Sequence, residues 1–276
     1  MNLNRPAALA CAIRAARAAG ALMLRNRRAD KIINEQSRHD IKLELDVRCQ
    51  KLIQKTLFAA FPNSLVFGEE GAAGPDGAPW RWVVDPIDGT VNFSYGVPHA
   101  CVSIALQQRV PSPAQWVTLL GVVLDPFCDE LWSAIRGGPA RLNGRPIHVS
   151  RRRALADSMV SIGFAKNDAS LLENLPVFIA LVRRVRKIRM MGAAALGLAY
   201  VASGRFDAYI ESGISLWDIA AGGLIVQCAG GEFWHRPLDI PNQYRMVASN
   251  GLLRGKLERV ARAAKINNQG SQLASP

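Results

Sequence analysis

Apolar residues Leu9, Ile13, Ala16 and Met23 recur at helical spacing through residues 5–28, with Arg14, Arg17, Arg25 and Arg27 among them. That periodicity predicts an amphipathic helix. A second stripe, Cys49, Leu52, Ile53, Thr56, Leu57 and Ala60, predicts another over 47–60. Asp46 is placed to cap it, and Phe61-Pro62-Asn63 stops it. Leu65-Val66-Phe67 then reads as a short buried strand that delivers Gly68-Glu69-Glu70 at its end. Residues 71–79, rich in Gly, Ala and Pro, read as a loop. Residues 80–84 form a strand expected to stop at Asp85-Pro86, because proline cannot donate to a sheet ladder. Strand-like segments follow near 100–107, 115–124 and 130–135, then a turn at Leu142-Asn143-Gly144-Arg145.

Around Arg151-Arg152-Arg153 the character changes. The pattern becomes strand (159–164), helix (171–182), strand (186–190), helix (192–204), strand (206–210) and helix (216–229), which suggests a layered α/β arrangement. The 276 residues suit one large domain or two closely packed halves, about 1–150 and 151–276. There is no internal repeat and no low-complexity linker. The tail from Asn267 is polar and expected to fray.

Hydrophobic residues make up 49% of the chain, enough for a sizeable core. No run approaches the roughly 18 apolar residues of a membrane span, and no small-residue cleavage site follows the first helix. A cytoplasmic enzyme with no membrane partner is the expectation. Cys11, Cys49, Cys101, Cys128 and Cys228 are scattered, without a CxxC pair, and read mostly as core residues in a reducing compartment. The four histidines have no partners at metal-ligand spacing. A net charge of +12 suits phosphorylated substrates, an anionic surface or nucleic acid. Its clusters, Arg25 to Lys31, Arg151 to Arg153 and Arg183 to Arg189, lack the interleaved aromatics of a stacking platform and read as solvated faces.

The chemistry concentrates in Trp82-Val83-Val84-Asp85-Pro86-Ile87-Asp88-Gly89-Thr90. Two carboxylates three residues apart project from one tight corner. Unpaired, they raise each other's pKa, so a positive charge belongs between them. Hard oxygen ligands of this kind suit Mg²⁺. Gly89 and Thr90 offer amides and a hydroxyl to a phosphate. The plainer reading makes Asp88 an Asx-turn cap on the following helix. Two further acidic sites weigh against it: Glu69 at a buried strand end, and Asp218 in the first turn of Leu216-Trp217-Asp218-Ile219-Ala220-Ala221-Gly222.

Together these motifs resemble the inositol monophosphatase family of Mg²⁺-dependent, lithium-sensitive sugar and polyol phosphatases. Gly68-Glu69-Glu70, Asp85 to Thr90 and Trp217 to Gly222 match its signatures in order and spacing, with weaker matches at 40–46, 121–126, 142–144 and 211–214. The resemblance covers about residues 5–265. It implies one domain of mixed α+β class, an αβαβα sandwich of the inositol monophosphatase and fructose-1,6-bisphosphatase type. In it the first half binds metal, and the second supplies Asp218 and Glu211.

The resemblance also implies roles. Glu69, Asp85 and the carbonyl of Ile87 hold a first metal, and Asp85, Asp88 and Asp218 a second, with a third, weaker ion near Glu69. Gly89 and Thr90 contact phosphate. Asp46 hydrogen-bonds the threonine and, with Glu69 and Thr90, prepares the attacking water. Glu211 reads substrate hydroxyls, and Gly192, Ala193 and Ala194 flank the substrate ring beside Asp88 and Asp218. Members are usually homodimers, and segment 171–190 is the expected contact.

Some positions depart from the family pattern. Leu43 stands for a usual Thr, Lys42 for an apolar residue, Ala193 for Ser or Thr, and Ser215 where some inositol-specific members carry His. These leave open histidinol phosphate, fructose 1,6-bisphosphate and 3′-phosphoadenosine 5′-phosphate beside inositol 1-phosphate. An additional RNA- or transcription-associated role is compatible with the basic charge.

Overall fold

The computed structural model describes residues 3–36, 41–110, 115–164 and 168–272. The first half comprises α1 (Arg5–Asn26), the strands β1 (Ile33–Gln36) and β2 (Ile41–Leu43), and α2 (Glu44–Ala60). It continues with β3 (Leu65–Gly68), β4 (Gly71–Ala73), β5 (Trp80–Asp88) and α3 (Thr90–Ser94). Then come β6 (Cys101–Val110), β7 (Gln115–Asp125), β8 (Glu130–Ile135), β9 (Arg141–Leu142) and β10 (Arg145–Pro146). The second half holds β11 (Met159–Ile162), α4 (Asp168–Val182), β12 (Lys187–Arg189), α5 (Ala194–Ala202), β13 (Ala208–Ser215) and α6 (Leu216–Cys228). It closes with β14 (Glu232–Pro237), β15 (Gln243–Ser249) and α7 (Arg254–Gln272).

Two sheets and three helix pairs alternate as five layers. An eight-stranded sheet runs β10-β9-β8-β7-β6-β5-β3-β4, and a five-stranded sheet runs β12-β11-β13-β15-β14. On the outer face of the larger sheet, the alanine stripe of α1 (Ala8, Ala12, Ala15, Ala19) and Ile53 and Leu57 of α2 meet Val84, Ile104 and Val122. Between the sheets lie α5 and α6, packed on Val83, Val123 and Trp132 from one side and Met246 and Ala248 from the other. The fit is close: a Cβ on Gly121 would lie 2.7 Å from the carbonyl oxygen of Ala221 in α6. On the far side α4 and α7 cover Val160, Ile162 and Ala208 through Val177, Leu181, Leu257 and Val260. Each such buried Val, Leu, Ile or Met side chain contributes roughly 1.5–3 kcal/mol, and each alanine less.

Several expectations need correction. The strand from Trp80 does not stop at Pro86. It continues to Asp88, pairing Asp85 with Ser103 and then Asp88 with Cys101. Three steps on β5 thus oppose two on β6, a β-bulge that absorbs the residue lacking an N–H. The second helix starts at Glu44, so Asp46 lies inside its first turn, where its carboxylate accepts the Leu43 N–H at 2.7 Å. The stretch 71–79 begins with a strand, β4, that pairs with β3. Beyond residue 229, where the sequence pattern assigns no element, β14, β15 and α7 follow, and the tail from Asn267 is helical through Gln272. Helix α1 is long and apolar enough to span a membrane by composition, yet its small-residue face is buried against the sheet. Cys128 is exposed rather than core. The Lys42 side chain lies outside the described ones.

Candidate active site

The bulge in β5 decides where the two aspartates point. Successive strand residues face opposite sides, so side chains three apart normally diverge. One extra residue restores the parity, as a one-residue slip would. Asp85 and Asp88 therefore both turn inward, toward α5 and α6, with Asp85 1% and Asp88 7% exposed. Asp218, in the first turn of α6, joins them: one carboxylate oxygen from each lies within 4.8 Å of the others. Glu69 sits one residue beyond the end of β3, which runs parallel to β5, and its backbone N–H donates to the Val84 carbonyl at 3.1 Å. That pairing brings its side chain to hydrogen-bonding range of Asp85.

Each of the three aspartates is held by backbone. Asp85 accepts the Ile87 N–H at 3.0 Å, and Asp218 accepts the Ser215 N–H at 2.9 Å. Asp88 accepts from Ala194 N–H at 3.0 Å and Ala195 N–H at 2.7 Å, the otherwise unpaired amides at the N-terminus of α5. The buried thiol of Cys101 adds a weak bond at 3.4 Å. Helix α3 begins instead at Gly89, whose left-handed φ of 91° suits glycine. A Cβ there would lie 2.9 Å from the His99 carbonyl oxygen. Asp88 is thus no Asx cap for the helix that follows it.

Burial without a counter-charge shows in the proton affinities. Desolvation raises the pKa of Asp88 to about 6 against the helix amides that lower it. Asp218 is raised to about 7, by burial first and then by the charge of Asp88. Glu69 and Asp85 are both pushed well up, by burial and by their acidic neighbours. Among the described residues, no salt bridge reaches any of the four. Four hard oxygen donors, buried at Asp85 and Asp88 and half-buried at Glu69 and Asp218, with no ion-pair partner among the described residues, fit a divalent ion such as Mg²⁺.

The acids line a cleft of about 690 Å³ that also takes in Ile87, Gly89, Thr90, Gly192, Ala193, Ala194 and Glu211. Thr90 donates its single hydroxyl proton to the Ile87 carbonyl at 2.8 Å. Asp46 is 2% exposed and stands behind it, 3.4 Å from the Thr90 oxygen, with its pKa raised to about 7 by burial. Gly192, with φ of 73°, turns the chain into α5 over Asn92, whose amide donates to the carbonyls of His99 and Met191. Glu211, on β13, accepts the hydroxyl of the buried Tyr209.

Sequence reasoning missed several supporting residues. Tyr209 lies two positions from Glu211 on one strand, a period-2 signal open to inspection. Gln50 braces the acidic turn, accepting the Glu70 N–H at 3.1 Å and donating to the Gly71 carbonyl at 3.0 Å. Cys101 and Gln50 carry no local signal, because their partners are distant in the chain.

The model of the inositol monophosphatase family matches residues 6–269. A Pseudomonas aeruginosa protein named Nus factor SuhB is 44% identical over 228 residues, spanning 80% of this chain and 82% of its own length. Inositol-1-monophosphatase of Rhizobium meliloti is 40% identical over 198 residues, 70% of this chain and 71% of that one. The crystal structure of extragenic suppressor protein suhB from Bartonella henselae superposes with a TM-score of 0.84 at 33% identity, covering 92% of this chain and 98% of the other.

Proposed function

This chain belongs to the inositol monophosphatase family, and on that premise we propose that it is a Mg²⁺-dependent hydrolase of inositol 1-phosphate or a related small polyol or sugar phosphate. The observation that carries the reading is the meeting of Asp85, Asp88 and Asp218 within 4.8 Å, beside Glu69. Glu69, Asp85 and the Ile87 carbonyl would hold one ion, and Asp85, Asp88 and Asp218 another. Bound there, Mg²⁺ would supply Lewis-acid activation of water and neutralise phosphate charge.

The remaining roles belong to the chain. Gly89 permits the left-handed turn that starts α3, whose first amides would meet the phosphate. Thr90, fixed through the Ile87 carbonyl and backed by Asp46, orients the incoming water opposite the leaving alkoxide. Asp46, with a pKa near neutrality, is suited to exchange a proton by way of the threonine. Glu211, oriented by Tyr209, accepts hydroxyls of the polyol, and Gly192 to Ala194 form the wall beside them. Phosphate release from a panel of small esters, with and without Mg²⁺ and Li⁺, tests the reading. Metal-dependent, lithium-sensitive turnover of polyol phosphates is expected, and no turnover of any ester would refute it. A second copy of the chain would cover the exposed Leu171, Leu172, Leu175, Ile179 and Val182 of α4. Sedimentation at a dimer's mass is the expected result.

The relative named as a Nus factor supports a second, compatible reading, an association with RNA or the transcription machinery. The +12 charge favours it. Binding of a single-stranded RNA should then weaken steeply with salt, and salt-independent binding or none would remove it.

A further inference from the structure

The bulge that turns Asp88 inward also gives it a neighbour across the sheet. Cys101, the first residue of β6, pairs directly with Asp88, and side chains opposite one another in an antiparallel pair share a face. The residue is fully buried, within the apolar cluster that includes Val83, Ala105, Ala193 and Ala194. A thiol in such surroundings keeps its proton at neutral pH. Here it donates that proton to Oδ2 of Asp88, with the sulfur at 3.4 Å. Soft sulfur is a poor ligand for a hard ion such as Mg²⁺. Its part in the site is therefore to hold a ligand, not to be one.

The bond fills one oxygen of the carboxylate. A carboxylate oxygen has two lone pairs. Oδ2 of Asp88 accepts the Ala195 N–H at 2.7 Å as well as the Cys101 thiol, so both of its positions are taken. Oδ1 accepts the Ala194 N–H at 3.0 Å and keeps one position open. Asp88 thus faces an incoming cation with a single available oxygen. Mg²⁺ demands a near-octahedral shell, which suits one oxygen from each carboxylate, whereas Ca²⁺ accepts a carboxylate through one oxygen or through both.

On the reading that these acids hold Mg²⁺, we propose that Cys101 is a positioning residue. It keeps Oδ2 of Asp88 out of the metal shell and so tunes the cluster to Mg²⁺ in preference to Ca²⁺. Without the thiol, Oδ2 regains an acceptor position, and Asp88 can offer both oxygens to the larger ion while losing its fixed orientation toward the smaller one.

Cys101→Ala and Cys101→Ser remove the same sulfur and differ by one hydroxyl, so comparing them separates the donor from the packing. Calorimetric titration of the metal-free full chain with Mg²⁺ and, separately, with Ca²⁺ reads the effect in the absence of any ester. In Cys101→Ala, Mg²⁺ should bind about tenfold more weakly, the lower end for losing a partner behind a metal ligand, while Ca²⁺ changes by less than about twofold. Cys101→Val, which fills the space without a donor, should shift the ratio of the two affinities in the same direction. Cys101→Ser should keep the wild-type ratio. The Mg²⁺ concentration for half-maximal phosphate release should rise in Cys101→Ala by the same factor as the dissociation constant. The proposal is overturned if the Mg²⁺ to Ca²⁺ ratio stays at its wild-type value in Cys101→Ala and Cys101→Val, or if Cys101→Ser shifts it as far as Cys101→Ala does. A wild-type chain that binds neither ion overturns it together with the metal-dependent reading. If wild type binds Mg²⁺ but hydrolyses no ester, only the catalytic reading falls; an unchanged ratio with turnover intact removes the role of Cys101 alone.

Discussion

Stripping divalent cations and raising the pH should destabilise this protein in a way traceable to its acidic cluster. The folded-state pKa of Asp88 is raised from 3.8 to about 6, and those of Asp46 and Asp218 to about 7. A carboxyl with a raised folded-state pKa keeps its proton where the unfolded chain has lost it. Its stabilising contribution is therefore full below about pH 4 and disappears as pH rises through 6 to 7. Between pH 5 and pH 8, linkage gives about 1 kcal/mol for Asp88 and about 3 each for Asp46 and Asp218. The groups interact and do not simply add, so the total lies between the roughly 3 kcal/mol of one group and the roughly 7 kcal/mol of their sum. We take about 4 kcal/mol, near the lower bound, which is a large share of a typical folding free energy. At roughly 2 °C per kcal/mol for a chain of this size, Tm in EDTA should fall by about 8 °C from pH 5 to pH 8. Differential scanning calorimetry measures it. Saturating Mg²⁺, at about a hundredfold its Kd, should restore roughly 3 kcal/mol at pH 8 and little at pH 5, where protons hold the site. The double variant Asp88→Asn, Asp218→Asn should reduce the pH slope in EDTA, leaving the part that Asp46 carries. A metal-free Tm that is equal or higher at pH 8, or a slope unchanged in the double variant, would refute the reasoning.

Three other expectations concern single side chains. Asp88→Asn should lower kcat by at least about a hundredfold while far-ultraviolet circular dichroism stays native, since the α5 amides can still meet its remaining oxygen; an active variant would remove Asp88 from the reacting centre. Gly163→Ala would put a methyl 1.9 Å from a carboxylate oxygen of Glu211. That flexible side chain should swing away, and kcat/KM for polyol phosphates should drop about tenfold with Tm nearly unchanged. Glu211→Gln should change the ranking of phosphate esters more than the Mg²⁺ concentration for half-maximal activity. A collapse of metal affinity instead would move Glu211 into the ion shell.

Much of this molecule is written locally. The helical stripes from Leu9 to Met23 and from Cys49 to Ala60 specify α1 and α2, because burying one face needs only a 3.6-residue period. Asp-Pro-Ile-Asp-Gly-Thr marks the site, because so many special residues in one corner serve no packing purpose. The sequence alone also pointed to Glu69 and Asp218 as companions of that corner. It left unread β14, β15 and α7, where polar and apolar residues mix without a clean period. Tertiary structure alone decided the direction of the acids. Pro86 looks like a strand end, yet pairing with β6 carries the ladder past it as a bulge, and that one extra residue turns Asp88 to the same side as Asp85. The partners that fix the cluster, the α5 amides on Asp88 and Gln50 under the Glu69 turn, come from segments far away in the chain. Local pattern encodes which surfaces must be buried. Which distant backbone donor meets which carboxylate depends on how the layers stack.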